Sequence, residues 1–384
     1  MIMDYNLESL KVHKQLGGKL EVRSKIGISS KDDLSIAYTP GVGAVSLAIA
    51  EDSSLARTLT LKKDTVAVIS DGSAVLGLGD IGPLAALPVM EGKSLLLKEF
   101  AGLNSFPLVL DSHDASSIIQ VVRSVAPTFA AINLEDIKAP VCFEVESSLQ
   151  DLGIPVFHDD QHGTAVVVLA GLINSAKVTN KELSSLKVVV NGAGAAGTAI
   201  TKLLSSVVKD ILVLDSKGII SSSRSDLNKY KKEFLSLTNS QDVSGDLSFA
   251  IKGADVFIGV SKPGILTEEM IRSMNSDPFI FALSNPVPEV MPDVAHSAGA
   301  LIVATGRSDF PNQINNVLAF PGIFKGAISV RATRITEKMK LAAAHALANY
   351  IKQPSREMVL PSPLDKEIAN VVSKAVADAW SDAD

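Results

Sequence analysis

Cysteine is nearly absent from this chain, positive charge is in deficit, and long uncharged apolar runs are missing. The single cysteine, Cys142, excludes an intrachain disulfide framework and suits a reducing compartment; its expected place is a small buried core position. Lys and Arg number 36 against 42 Asp and Glu, a formal net charge of −6. That balance offers no general attraction for phosphate backbones and excludes nucleic acid as a partner class. A small anionic substrate would therefore need a local positive patch or a metal. No uncharged apolar stretch approaches the ~18 residues a spanning helix requires. The opening MIMDYNLESLKVHKQLGGKLEV has neither an apolar h-region nor an Arg-rich amphipathic pattern. No membrane partner is expected, and a cytoplasmic location is. What is present, 384 residues of which 46% are apolar, suffices for two domains, each with its own core.

Several short β-branched runs end in polar or acidic residues and lead into helical patterns, the layout of parallel strands with crossover helices. In the first half these are TVAVISDG (65–72), FPLVLDSHD (106–114), TFAAINLED (128–136) and IPVFHDD (154–160). After Gly163 a helical segment, TAVVVLAGLINSAKV, precedes a second set: LKVVVNG, DILVLDS, ADVFIGVS, PFIFALSNP and ALIVATG. The reading is an α/β protein of two domains, residues 1–162 and 163–384, the second Rossmann-like with a parallel sheet and carboxy-terminal helices. The Ser- and Lys-rich stretch from Ser221 to Ser248 reads as surface. The Ala-rich helix after Ala327 reads as a packing or dimer helix.

In open α/β sheets ligands bind outside the carboxyl ends of the strands. LKVVVNGAGAAG places Gly192, Gly194 and Gly197 in G-x-G-x-x-G spacing, with Ala195 and Ala196 between them, after a strand and before a helix. Glycine there permits a tight turn and close approach of a pyrophosphate to free helix N–H groups. The next strand ends at Asp215, where a ribose-binding acid is expected; an acid favours NAD, while Lys217 two residues on works toward NADP.

Glu135 and Asp136 follow one strand, Asp159 and Asp160 another, so four acids are expected at one sheet edge. They would repel unless a cation holds them, and oxygen donors select Mg²⁺ or Mn²⁺ over zinc. His158 and His162 have the i, i+4 spacing of a zinc helix but span a strand-to-helix junction. Asp160 as a plain helix cap is the bland alternative. Tyr38 stands in a stiff Gly- and Pro-rich turn, AYTPGVGAV, either as a packing residue or as a proton donor. Lys93, placed at the start of a helix beside the loop GLGDIG, is either solvated or a base whose pKa is lowered from ~10.4 toward neutrality. Asn285, in ALSNPVPEV, and Asn316 are amides in late loops, suited to a carboxylate or to a turn.

Taken in order, AYTPGVG, VMEGK, INLED, FHDDQHGTA, VVNGAGAAG, ALSNP and TGRSDFPNQINNVLAFPG resemble the malic enzymes, specifically the short bacterial form. The resemblance implies an N-terminal α/β malic-type domain ahead of the NAD(P)-binding one. It implies oxidative decarboxylation of L-malate to pyruvate and CO₂ with NAD or NADP and a divalent metal, Mg²⁺ or Mn²⁺. By the same resemblance Tyr38 is the general acid, Lys93 the general base, and Glu135, Asp136 and Asp160 the metal ligands, with Asp159 supporting the lysine. Asn285 and Asn316 become substrate-contacting amides, with Asn285 also on the cofactor side, and a homodimer is expected. Larger members carry an arginine before the LGLGD loop that grips a malate carboxylate; here that position is Ala74. The rivals are a metal-independent dehydrogenase and a nucleotide-sensing protein that keeps the fold.

Overall fold

Nine of the apolar runs above form strands in the computed structural model, which describes residues 4–75 and 77–381. Residues 1–3 and 382–384, at the ends of the expected domain spans, and Leu76 of the LGLGD loop lie outside the described residues. The first sheet holds β1 (Thr65–Ser70), β2 (Asn104–Val109), β3 (Ala131–Leu134) and β4 (Val156–His158), all parallel, in the order β2-β1-β3-β4. Parallel strands covered on both faces read as near-continuous apolar runs, and β1, β3 and β4 are buried throughout.

The second sheet contains β5 (Lys187–Asn191), β6 (Asp210–Asp215), β7 (Gly218–Ile219), β8 (Val256–Gly259), β9 (Phe279–Ala282) and β10 (Ile302–Thr305). Its order is β10-β9-β8-β5-β6-β7, parallel except for the β6–β7 pair. Strand order reverses between β5 and β8, so their carboxyl ends open a crevice there.

The 21-residue helix Asp159–Thr179 joins the two sheets. Its middle, residues 165–173, is apolar all round, and the helix buries most of its length, as a helix enclosed on every side must. The division expected at residue 162 falls inside its first turn, so the halves are connected by a rigid rod. One continuous core includes Val66 and Phe157 from the first half and Val188, Phe281, Phe324 and Leu347 from the second.

Two readings are corrected here, and for the Ala-rich helix the structure shows the packing use of the two that were read. The helix carrying Lys93 runs Pro83–Leu96, so the lysine stands in its last turn and not at its start; Pro83, just after Gly82, is the natural first residue. The stretch 221–248 is not simply surface, because it buries Ser221, Leu227 and Phe234. The Ala-rich helix, Glu337–Tyr350, packs within the chain and buries Ala343, Ala344, Leu347 and Ala348. Its neighbours Phe320–Ser329 and Glu367–Ala379 cross closely, since a Cβ on Gly322 would lie 2.7 Å from Val372 and one on Gly326 would lie 2.4 Å from the Ser373 carbonyl. Cys142 is buried and unpaired.

Candidate active site

Register gathers the acids. Leu134 of β3 pairs with His158 of β4, so Glu135 and Asp159 leave the sheet side by side and Asp136 and Asp160 follow them. Carboxylate oxygens of Glu135, Asp136 and Asp160 lie within 4.8 Å of one another. Asp136 has φ of 53°, a left-handed conformation that Asp tolerates better than most residues. In it the Asp136 N–H donates to Asp160 Oδ2 at 2.8 Å, which ties the two acidic loops together. Asn133, one strand residue earlier on the same face, donates to Glu135 Oε2 at 2.9 Å. Burial first, then the neighbouring negative charge, raises the pKa of Glu135 and of Asp160. This all-carboxylate set fits a hard dication such as Mg²⁺ or Mn²⁺.

Asp159 turns away from that cluster. Its Oδ2 accepts from Lys93 Nζ at 2.5 Å and from Asn316 Nδ2 at 2.6 Å, while Lys93 Nζ also reaches Glu135 Oε1 at 2.9 Å. Asp159 Oδ1 is buried without a hydrogen-bond partner. Lys93 further lies 4.8 Å from the centroid of the Phe320 ring. Burial would lower the lysine, but Asp159, Glu135 and Asp160 outweigh it and hold the ammonium above its ordinary value. The chain's own charges thus oppose the lowering that a base role requires. Burial in turn pushes Asp159 up to about 6, against the pull of Lys93.

Gly163, which pattern reading missed, makes this arrangement possible: a Cβ there would stand 1.9 Å from Asp159 Oδ1. Gly163→Ala is expected to swing Asp159 off Lys93 and lower kcat by at least ~100-fold, the usual scale for misplacing a supporting group, and to lower the melting temperature, because the buried Asp159–Lys93 pair is parted. Kinetics and a thermal melt on the same preparation test this.

The histidines do not ligate together. His162 Nε2 lies 2.9 Å from Glu146 Oε1 and its Nδ1 3.2 Å from Lys340 Nζ. His158 is fully buried, and neither ring nitrogen has a hydrogen-bond partner. Glu146, also unanticipated, accepts from the His158 N–H and from Gln161 Nε2, at 3.1 and 3.0 Å. It thereby anchors the start of the helix that carries Asp159 and Asp160.

The glycine turn has the expected construction. A Cβ on Gly192 would lie 2.7 Å from the Val260 carbonyl and one on Gly197 only 1.7 Å from the Gly192 carbonyl, whereas Gly194 faces open space. No side chain caps the helix Ala195–Leu204 that follows, which leaves N–H groups of its first turn, including those of Ala195 and Ala196, available to an anion. A cavity of about 610 Å³ lies here, lined by Gly192, Gly194, Asp215, Lys231 and Ser261 among others, ample for part of a dinucleotide. Ala195 packs against the core cluster that contains Leu134 and Ile137, so the turn abuts the acidic edge of the first sheet.

Asp215 is more crowded than its position at a strand end suggested. Arg224 grips both its oxygens, at 2.7 and 3.0 Å, and Lys231 adds a contact at 2.6 Å. Despite partial burial these bases hold Asp215 down at about 2. Lys217 points its ammonium at Asp226, 2.9 Å away.

Two expected residues are less integrated. Asn285 is exposed, with its carbonyl against Gly77 of the loop after β1 and its amide beside Gly306. Ala74 donates its N–H to the Asp136 carbonyl at 3.0 Å, next to the acids. Tyr38 is not brought to the site: it ends the helix Lys31–Ala37 and its side chain is 67% exposed.

Residues 17–150 match the family model "Malic enzyme, N-terminal domain" and residues 161–381 match "Malic enzyme, NAD binding domain". The chain belongs to the malic enzyme family. The NAD-dependent malic enzyme of Geobacillus stearothermophilus is 54% identical over 368 residues, covering 95% of this chain and 77% of that protein. The NADP-dependent malic enzyme of Halomonas elongata is 47% identical, covering 96% of this chain and 92% of that one. The crystal structure of the NAD-dependent malic enzyme from Thermotoga maritima superposes with a TM-score of 0.94 at 48% identity, over 96% of this chain and 98% of its own. Malic enzyme relatives this similar therefore use either cofactor.

Proposed function

We propose that this malic enzyme converts L-malate to pyruvate and CO₂ while reducing NAD or NADP, with Mg²⁺ or Mn²⁺ held by Glu135, Asp136 and Asp160. The observation that carries the reading is the buried lysine, Lys93, braced by Asp159 and Glu135 beside three converging carboxylates and next to a dinucleotide turn. Held there, a divalent cation supplies Lewis acidity toward the substrate oxygens and neutralises Glu135 and Asp160, two of the three carboxylates that keep Lys93 protonated. The turn at Gly192, Gly194 and Gly197 would hold NAD(P)⁺, which when bound would supply the hydride acceptor. Lys93 then takes the C2 hydroxyl proton, and Asp159 and Asn316 fix its position. Tyr38 returns a proton to C3 after CO₂ leaves. Asn285 and Asn316 offer uncharged donors to the substrate carboxylates. We place the enzyme in the cytoplasm on the strength of its one unpaired, buried cysteine.

Steady-state assay with malate, Mn²⁺ and each cofactor in turn tests this. Malate-dependent formation of reduced cofactor together with CO₂ is expected; full turnover in excess chelator, or cofactor binding without malate turnover, rejects it. Cofactor choice rests with the Asp215 cluster. Asp215→Ala frees Arg224 and Lys231 to meet a 2′-phosphate and removes the ribose acceptor. The ratio of kcat/KM for NADP to that for NAD is expected to rise at least ~10-fold, measured with both cofactors on both proteins.

A further inference from the structure

The helix Asp159–Thr179 delivers two acids to the site from its first turn, yet no side chain caps that turn. An uncapped end frays unless something else holds it. Glu146 and its partners supply such a hold, and they engage the flank of the turn that the site leaves free. At 3.6 residues per turn, Gln161 and His162 fall on the side opposite Asp159, Asp160 and Gly163. Glu146 stands in the helix Val141–Ser148 of the first half. It accepts from the His158 N–H at 3.1 Å, from Gln161 Nε2 at 3.0 Å and from His162 Nε2 at 3.0 Å. A single carboxylate thus grips the residue before the helix and two residues of its first turn.

Lys340 completes the arrangement from the other half of the chain. It belongs to the helix Glu337–Tyr350, is 7% exposed, and sends Nζ to His162 Nδ1 at 3.2 Å and to Glu337 Oε1 at 2.7 Å. Lysine is almost never buried without a partner inside. Glu337 is not that partner, because its own side chain is 67% exposed and would be met as well in water. The imidazole is. An ammonium only donates, so Nδ1 must accept, and the ring carries its proton on Nε2. That is the nitrogen facing Glu146. Lys340 therefore selects the tautomer in which His162 donates to the carboxylate, while Phe157 of β4, 5.5 Å away between ring centroids, backs the ring.

We infer that Lys340, His162 and Glu146 are positioning residues for the metal site: His162, as a neutral bridge between lysine and carboxylate, sets the rotation of the first helical turn and so where Asp160 meets Glu135 and Asp136. Small rotations matter there. Turning a helix by about 10° carries a side-chain atom at a radius of ~5 Å through roughly 1 Å. A misplacement of ~1 Å costs on the order of 100-fold in rate. Both acids of the turn feel it, because Asp160 must stay within the carboxylate cluster and Asp159 must bridge Lys93 and Asn316. The bridge uses one donor and one acceptor and no charge. A neutral side chain with the same pair of groups therefore serves in its place. This role rests on Glu135, Asp136 and Asp160 being the ligands.

The test compares His162→Gln, whose amide keeps one donor and one acceptor, with His162→Leu, which fills similar space with neither. Both are made in the full chain, and Mn²⁺ is the probe, its free fraction read by electron paramagnetic resonance without substrate or cofactor. His162→Leu is expected to raise the Kd for Mn²⁺ at least ~10-fold, the lower end of the range for outer partners of a metal site, and His162→Gln to stay within ~3-fold of the parent. A lower melting temperature in His162→Leu with a parental Kd makes the network merely structural and overturns the role. So does a His162→Gln variant that binds as weakly as His162→Leu, since the bonds would then not be what counts. Should His162→Leu fail to fold, Lys340→Met decides from the outer end of the relay: a Kd raised at least ~3-fold supports it, and an unchanged Kd overturns it. A parent that takes up no Mn²⁺ overturns the ligand assignment and the relay together, whereas a parent and variants that bind Mn²⁺ alike overturn the relay alone.

Discussion

Lys93→Ala is expected to lower malate-dependent cofactor reduction by about 10²–10⁴-fold, the range for a positioned proton-transfer group. The side chain is 13% exposed and its Nζ stands between Asp159 and Glu135, so no solvent base can take its place. Removal also leaves two buried carboxylates without their cation. Breaking such a pair costs ~3–5 kcal/mol, and burial already raises the pKa of both acids. The variant is therefore expected to melt lower than the parent near neutral pH, where more of each acid is ionised. At lower pH it regains ground as Asp159 and Glu135 take up protons. Decarboxylation of added oxaloacetate does not begin with loss of a hydroxyl proton and is expected to survive in the variant. Unchanged malate oxidation would reject the base role. Equal loss of both activities would point to damage at the acidic cluster instead.

The resemblance implied Asp159 as the support of Lys93, but the rest of the lysine's environment was not legible, which follows from how each feature is encoded. Parallel strands buried on both faces write continuous apolar runs, and acids that end those runs share one sheet edge whatever the register. That made β1, β3, β4 and the convergence of Glu135, Asp136 and Asp160 legible. The separate task of Asp159 is set by Gly163, one helical turn on, and by Asn316, which is distant in sequence; nothing periodic marks either. The bases on Asp215 come from a stretch whose polarity hid the buried Leu227 and Phe234 that hold it in place. Small residues in the carboxy-terminal helices signal close packing inside the chain as readily as a surface for a partner, and here Gly322 and Gly326 show the former. The amino-terminal helices posed the reverse problem. Their apolar residues imply burial, yet the helices Lys31–Ala37 and Val42–Glu51 bury none of their residues within the chain.

Asp160→Asn is expected to reverse the effect of Mn²⁺ on stability. In the parent, three carboxylates are crowded within one site, where burial raises Glu135 and Asp160 and the Asp160 charge raises Glu135 further, so a bound dication relieves repulsion. Saturation at about 100 times Kd adds ~2.7 kcal/mol to the folded state, a rise of several degrees in melting temperature. Substituting the amide keeps an oxygen able to accept the Asp136 N–H but removes one negative charge from the set. Without metal the variant should melt at or slightly above the parent, because a buried like-charge contact is gone. With saturating Mn²⁺ it should melt below the parent, because a neutral amide is a weaker donor to a hard cation. Activity should fall at least ~100-fold, and the Mn²⁺ concentration for half-maximal rate should rise. Identical melting shifts with Mn²⁺ in both proteins would remove Asp160 from the ligand set, whatever the activity. A variant that melts lower in the absence of metal would mean that the carboxylate's bonds to the Asp136 loop and its pairing with Lys93 outweigh the repulsion, so that the cluster is a structural charge network before it is a metal site.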